Sequence, residues 1–286
     1  MDGIIVVNKP KGITSRDVVN NVCKLLNTKK IGHTGTLDPI ATGVLVLCVG
    51  KATKLVEVLT SNDKEYIATV KLGILTDTLD TDGTIIEKKH VNLDKNELEN
   101  VLNSFVGTYN QEVPIYSAVK INGKKLYEYA REKKEVTLPK RMVEIKKIEL
   151  LELENGYYKF KVSVSKGTYI RSLIKDINEK LRVIGVMSDL VRTRQGKFLI
   201  NDSYTLEEIE RNNYKIMSVT DVLKDENCVI IDSTLFEKVK NGAIINNEYN
   251  TNMVTFVYND NVVAIYKTYD KDKAKMKPYK MFIYKG

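Results

Sequence analysis

The sequence predicts an α+β protein, with a mixed central sheet, flanking helices and a small β-rich C-terminal module. Three observations carry this. Strand-length apolar runs and helix-length amphipathic segments are interspersed without the regular alternation of a doubly wound sheet. The segment 157–165 alternates with period two through Tyr158, Phe160, Val162 and Val164, as a half-buried strand does. After the polar stretch 223–227 the texture changes to short apolar runs separated by Asn- and Asp-rich turns. The 286 residues suit one large and one small domain, placed at 1–225 and 228–286.

Element by element, a strand is expected over 3–7 and a turn at 8–12. A helix follows over 15–26, with Ser15 as N-cap and Val18, Val22, Leu25 and Leu26 as its apolar face. A glycine-rich loop leads to a solidly apolar strand over 44–49, then a short helix near 53–59 and a strand over 65–72. Asp94 and Glu97 have the spacing of a capping box and open a helix reaching about residue 105. Asn122-Gly123 marks a type I′ hairpin, which needs positive φ at both central residues. Strands are expected over 142–152 and 157–165, then a helix over 169–181 capped by Thr168. In the tail, strands are expected over 229–231, 254–258, 262–266 and 281–284.

The composition narrows the function classes. Hydrophobic residues make up 43% and charged residues 29%, as in ordinary globular proteins. The longest apolar run, 44–49, is far too short to span a membrane, and the N-terminus lacks the pattern of a secretory signal. The three cysteines are far apart, and two histidines are too few for a zinc site, so a metal-free cytoplasmic protein is expected. No P-loop or Gly-x-Gly-x-x-Gly follows a strand, so no nucleotide cofactor is expected. The net charge of +8 is unevenly spread: residues 117–171 carry 14 basic and 7 acidic groups, whereas 60–116 carry 5 and 10. Basic blocks of this kind fit a polyanion-facing surface, although a solvated lysine-rich surface gives the same count.

With so few histidines, the candidate reactive groups are carboxylates, tyrosines and arginines. Asp38 stands in GHTGTLDP (32–39), between flexible glycines and a proline that disfavours helical backbone at 38. Asp-Pro is equally an ordinary turn former. Arg171 falls in the first turn of a helix, where a cation opposes the helix dipole. It is either exposed there or placed to pair with a buried carboxylate or a phosphate. Tyr66 is placed on the sheet face opposite Ile67, either packing or available to stack on an aromatic ligand.

These segments, with others in the same order, resemble the TruB family of tRNA pseudouridine synthases. The matching pieces are NKPKGITS (8–15), GHTGTLDPIATGVL (32–45), KEY (64–66), DTLDTDG (77–83), PIYSAVK (114–120), GTYIR (167–171) and LVRT (190–193). A departure is Val113, where the family usually has a first proline. The resemblance implies the largely antiparallel sheet of pseudouridine synthases and a PUA-like RNA-binding tail. It implies conversion of uridine 55 in the T-loop of tRNA to pseudouridine, with no cofactor and no metal. The partner it implies is the T-arm stem-loop of tRNA, met by a monomer without guide RNA or membrane. By the same resemblance Asp38 is the catalytic aspartate, Tyr66 lies against the target base and Arg171 pairs with Asp38. His33 enters the T-loop, Leu190 lines the uracil pocket, and Lys9, Lys64 and Tyr169 surround the site. An accessory tRNA-folding role is compatible with catalysis.

Overall fold

The computed structural model describes residues 2–224 and 227–282. Along the chain run β1 (Gly3–Lys9), α1 (Ser15–Leu25), β2 (Ile31–His33), β3 (Thr42–Val49) and, after a 3-10 turn, α2 (Val56–Thr60). Then come β4 (Lys64–Leu72), β5 (Ile74–Thr76), β6 (Ile85–Lys88), α3 (Lys95–Asn103), β7 (Gly107–Glu112), β8 (Lys120–Ile121), β9 (Lys124–Lys125) and α4 (Leu126–Arg131). The long strands β10 (Lys140–Glu154) and β11 (Tyr157–Val164) precede α5 (Ile170–Lys180), β12 (Gly185–Gln195), β13 (Phe198–Leu199), α6 (Leu206–Glu210) and α7 (Val219–Leu223). The tail holds β14 (Cys228–Ile230), α8 (Ser233–Lys240), β15 (Ile245–Asn246), β16 (Met253–Tyr258), β17 (Asn261–Tyr269) and β18 (Asp272–Met281).

The central sheet runs β1-β3-β12-β4-β11-β10-β7, with β2 beside β3 and β13 beside β12. Its pairs are antiparallel except β3 with β12, where Thr42 faces Val191 and Gly43 faces Arg192. This is the mixed, largely antiparallel α+β architecture. A second sheet, β14-β16-β17-β18-β15, forms the C-terminal unit. The tail is less purely β than its sequence texture indicates, since α8 packs Val239 into that sheet's core. Residues 283 and 284 of the expected last strand lie outside the described residues.

The apolar run of β3 is unbroken because both its faces are covered. Leu45, Leu47 and Val49 pack on α1 and α6 through Val18, Val22 and Ile209. Val44, Val46 and Cys48 pack on Leu55, Leu59 and the C-terminal residues Val262, Ile265 and Phe282. On β4 the expected faces are reversed: Lys64, Tyr66, Ala68, Val70 and Leu72 are buried, and Ile67 is half-buried opposite them. The Tyr66 face carries α3 and α5, whose Leu98, Leu102, Leu173 and Ile177 share its core. The helices on that face, rather than the hydrophobicity of Ile67, decide which side is the interior.

Two helix starts also differ from expectation. In α1 the N-cap is Thr14, whose side chain accepts from Asp17 N while Asp17 accepts from Thr14 N, a full capping box. Ser15 is buried instead, its hydroxyl accepting from Leu37 N at 2.8 Å and donating to Leu37 O at 3.1 Å. Leu25 is exposed and stands off the apolar face. In α5 the cap is Tyr169, whose N–H donates to the Gln111 side chain at 2.7 Å, while Thr168 donates to Ser165 O. Ser15→Ala leaves a buried N–H unpaired in the segment before Asp38. It should cost about 1–3 kcal/mol in chemical denaturation, whereas loss of an exposed cap would be smaller.

Candidate active site

Four elements converge where β3 meets β12: the 34–41 loop, the start of β4, the second half of β12 and the first turn of α5. Asp38 and Arg171, 133 residues apart, meet there side by side. Arg171 Nε lies 2.9 Å from Asp38 Oδ2, and Nη2 donates to Oδ1 at 3.2 Å. This is a two-pronged pair of the kind that fixes a carboxylate's plane as well as its position. The Arg171 side chain is 7% exposed, whereas that of Asp38 is 37% exposed. The pair therefore presents a held carboxylate to solvent from a buried support.

The remaining Arg171 donors go to Thr78 O and Tyr116 O, each at 3.0 Å. Asp80 Oδ2 sits 3.8 Å from Nη1, with its side chain 9% exposed. Burial raises the Asp80 pKa, partly offset by the Thr78 hydroxyl and by Arg171. Leu79, between Thr78 and Asp80, holds φ 63°, a left-handed conformation that costs a non-glycine residue about 1–2 kcal/mol. The cationic first-turn residue of α5 is thus tied into the site by two carboxylates and two carbonyls. Asp80 carries no role in the sequence reading, because its partner is 91 positions away; its place in a matched motif was the available signal.

The loop bearing Asp38 is fastened along its length. Arg192, 1% exposed, donates to Val44 O at 2.6 Å, Gly35 O at 3.1 Å and Thr36 O at 3.4 Å. Ser15 holds Leu37, and Gly12 N donates to Pro39 O at 2.8 Å. Lys9 is wholly buried, and its ammonium donates to Pro10 O, Pro39 O and Ala41 O. Gly43 must be glycine: its φ is +98°, and a β-carbon there would collide with the Arg192 carbonyl oxygen. Arg192 has no side-chain role in the sequence reading, although it stands two residues after Leu190.

Lys9 and Lys64 are placed as struts. Three carbonyls take the Lys9 donors, and Lys64 donates to Thr60 O and Asn62 O. Burial lowers both pKa values to about 8, Lys9 being partly sustained by Asp38 and Lys64 further lowered by Arg192. Between about pH 8 and 10.5 the unfolded chain binds more protons at these two positions than the folded one, so their contribution to stability rises with pH. Tyr109 and Tyr158 work oppositely, since burial raises their pKa values and stability falls once the unfolded phenols ionise above about 10. Chemical denaturation across pH 7–11 should show a rise from pH 8 and a decline above 10. Lys9→Met should flatten the rise.

A cleft of about 620 Å³ opens beside this segment. Its lining includes Thr34, Gly35 and Thr36, then Lys64, Tyr66, Arg141, Lys166, Tyr169 and Arg192, with no carboxylate among the described lining residues. Tyr66 is 7% exposed and its hydroxyl has no partner among the described residues, although the ring packs in the central core. Tyr169 is half-buried at the start of α5. Leu190 is not part of the cleft lining; it is 5% exposed in β12, opposite Ala68 on the face that carries Tyr66. His33 ends β2, half-buried, with Nδ1 lacking a partner. Burial, Arg16 and Arg192 lower its pKa, so the imidazole is neutral at pH 7.

The family model described as TruB family pseudouridylate synthase (N terminal domain) matches residues 23–170. The protein named tRNA pseudouridine synthase B of Bacillus cytotoxicus is 42% identical over 300 residues, covering 99% of this chain and 98% of its own length. The protein of that name in Bacillus subtilis is also 42% identical, over 100% of this chain and 99% of its own. Among solved structures, an H/ACA RNP bound to a substrate RNA containing 2′-deoxyuridine holds a chain similar to this one. It has a TM-score of 0.74 and 26% identity, and the match covers 99% of this chain and 85% of that one. A Cbf5-Nop10-Gar1 complex gives 0.72 and 28%, with 99% and 84% covered.

Proposed function

The chain belongs to the TruB family of pseudouridylate synthases, and on that premise we propose that it isomerises uridine 55 in the T-loop of tRNA, with Asp38 as the catalytic carboxylate. One observation carries the assignment of Asp38: a half-exposed carboxylate, gripped at both oxygens by a buried arginine. A turn aspartate needs no such support. Relatives of nearly full length named tRNA pseudouridine synthase B support tRNA as the substrate.

The chemistry fits the residues. The N1–C1′ bond breaks, the uracil turns, and C5 bonds to C1′. The C5 proton leaves and N1 ends protonated, so product and substrate are isomers and no redox partner is required. A fixed carboxylate serves as nucleophile toward sugar or base, or as the base that assists elimination. To reach the glycosidic carbon the target must leave the loop stack, at a cost of a few kcal/mol. Stacking on Tyr66 returns about 1–3 kcal/mol, and the neutral His33 ring fills vacated space in the RNA. Tyr169 shapes the pocket from the cleft wall, and Leu190, outside that lining, stands on the same sheet face as Tyr66. Lys9 and Lys64 serve RNA binding indirectly, by fixing the loops that meet it.

In this reading the protein works as a cytoplasmic monomer without guide RNA, residues 1–225 carry catalysis, and 228–286 form a PUA-like RNA-binding module. The lysine-rich β18, which includes Lys273, Lys275, Lys277 and Lys280, supports the last assignment. The test is release of tritium from a T-arm stem-loop labelled at uracil C5. Label should appear in water with this protein alone, and a loop whose target uridine is replaced by cytidine should release none. No release from the first loop, or release from the second, overturns the proposal. An accessory tRNA-folding role is supported if the Asp38→Asn protein still accelerates tRNA folding.

A further inference from the structure

The mouth of the cleft contains an unmet positive charge. Of its four basic side chains, Lys64 and Arg192 are consumed by backbone carbonyls. Arg141, at the start of β10, and Lys166, in the turn between β11 and α5, are exposed and have no anionic partner among the described residues. Arg192 and Lys166 both press on the Lys64 ammonium electrostatically, opposed by Asp63. The other Asp63 partner, Lys146, shares that carboxylate. Several cations around a cleft with no carboxylate among its described lining residues repel one another until an anion arrives. Tyr66 and Tyr169 line the same space, so stacking surfaces lie beside the free cations.

We infer that Arg141 and Lys166 form a paired phosphate clamp at this mouth, gripping the RNA backbone beside the nucleotide that enters the cleft. This rests on the proposed RNA substrate and adds where its backbone is held. Arg141 stands at the start of β10 and Lys166 just past the end of β11, the strand antiparallel to β10, so the two cations sit side by side at one end of this strand pair. Gly167, beside Lys166 in the turn before α5, holds φ +85°, a left-handed conformation that glycine adopts without strain. The clamp contacts phosphate, not base edges. It therefore fixes register and contributes affinity without sequence preference.

The test is the salt dependence of binding to an unmodified T-arm stem-loop, measured for the wild type, Arg141→Gln, Lys166→Gln and the double variant. Each single substitution should lower the slope of log K against log salt by about one and weaken binding several-fold, with the loss in turnover falling on KM. Lys95→Gln is the control. It lines a groove at the Leu72 end of β4, about 26 Å along that strand from Lys64. The control should leave the slope unchanged. Unchanged slopes in the cleft variants, an equal fall with Lys95→Gln, or a wild-type protein that does not bind the stem-loop each overturn the clamp. Tritium release by the wild type is scored separately: normal release with unchanged slopes rejects the clamp alone, and reduced slopes without release reject the isomerase reading alone.

Discussion

Asp38→Asn should lower turnover of the T-arm stem-loop by at least about a thousand-fold, because the amide keeps the shape of the side chain and removes its nucleophilic and basic oxygen. The loss should appear in kcat. The Kd for the stem-loop should stay within about threefold or tighten, since the substitution removes a negative charge from a basic site. The amide also turns one donor toward the Arg171 guanidinium, where two acceptors stood. Stability should therefore fall by about 1–3 kcal/mol. A variant that binds and folds yet does not turn over separates chemistry from scaffolding.

Arg171→Leu should have the largest effect on the fold. It leaves Asp80 buried without its cation and strips Thr78 O and Tyr116 O of their donor. Removing one partner from a buried ion pair costs about 3–5 kcal/mol, which lowers Tm by about 6–20 °C in a domain of this size. The deficit should narrow as pH falls. The Asp80 pKa is already raised in the folded protein, so folding favours its protonated form. In the variant, protonation relieves an unpaired charge, and the folded state gains relative to the unfolded one as pH falls through the raised pKa. Arg171→Lys keeps the charge but not the fork, and cannot engage both Asp38 oxygens and both carbonyls. It should recover much of the stability while activity stays about a hundred-fold down.

What the sequence reveals about this fold follows from how local the cause is. The Asn122-Gly123 hairpin forms with φ of 50° and 80°, because turn chemistry is decided within four residues. The start of α3 is local too, with Asp94 accepting from Glu97 N. The cap of α1 was legible in Thr14-x-x-Asp17 but is masked by Ser15, a good capping residue whose actual partner, Leu37, is 22 positions away. The Tyr66 face is not decided by β4 itself but by the helices that cover it. α8 carries a local signal, Asp232 as N-cap with Leu235, Phe236 and Val239 at helical spacing, hidden by the strand-rich texture around it. At the candidate site, Asp38, Tyr66 and Arg171 are proposed from ordered motifs, whereas Asp80 and Arg192 join it through contacts 91 and about 150 residues distant.

The most direct measurement maps pseudouridine in a full-length unmodified tRNA transcript after incubation with the protein alone, reading carbodiimide adducts as reverse-transcription stops. One new stop is expected, at position 55, with the wild type, and none with Asp38→Asn. A stop elsewhere, no stop with the wild type, or a stop at 55 that survives Asp38→Asn contradicts catalysis by Asp38 at uridine 55.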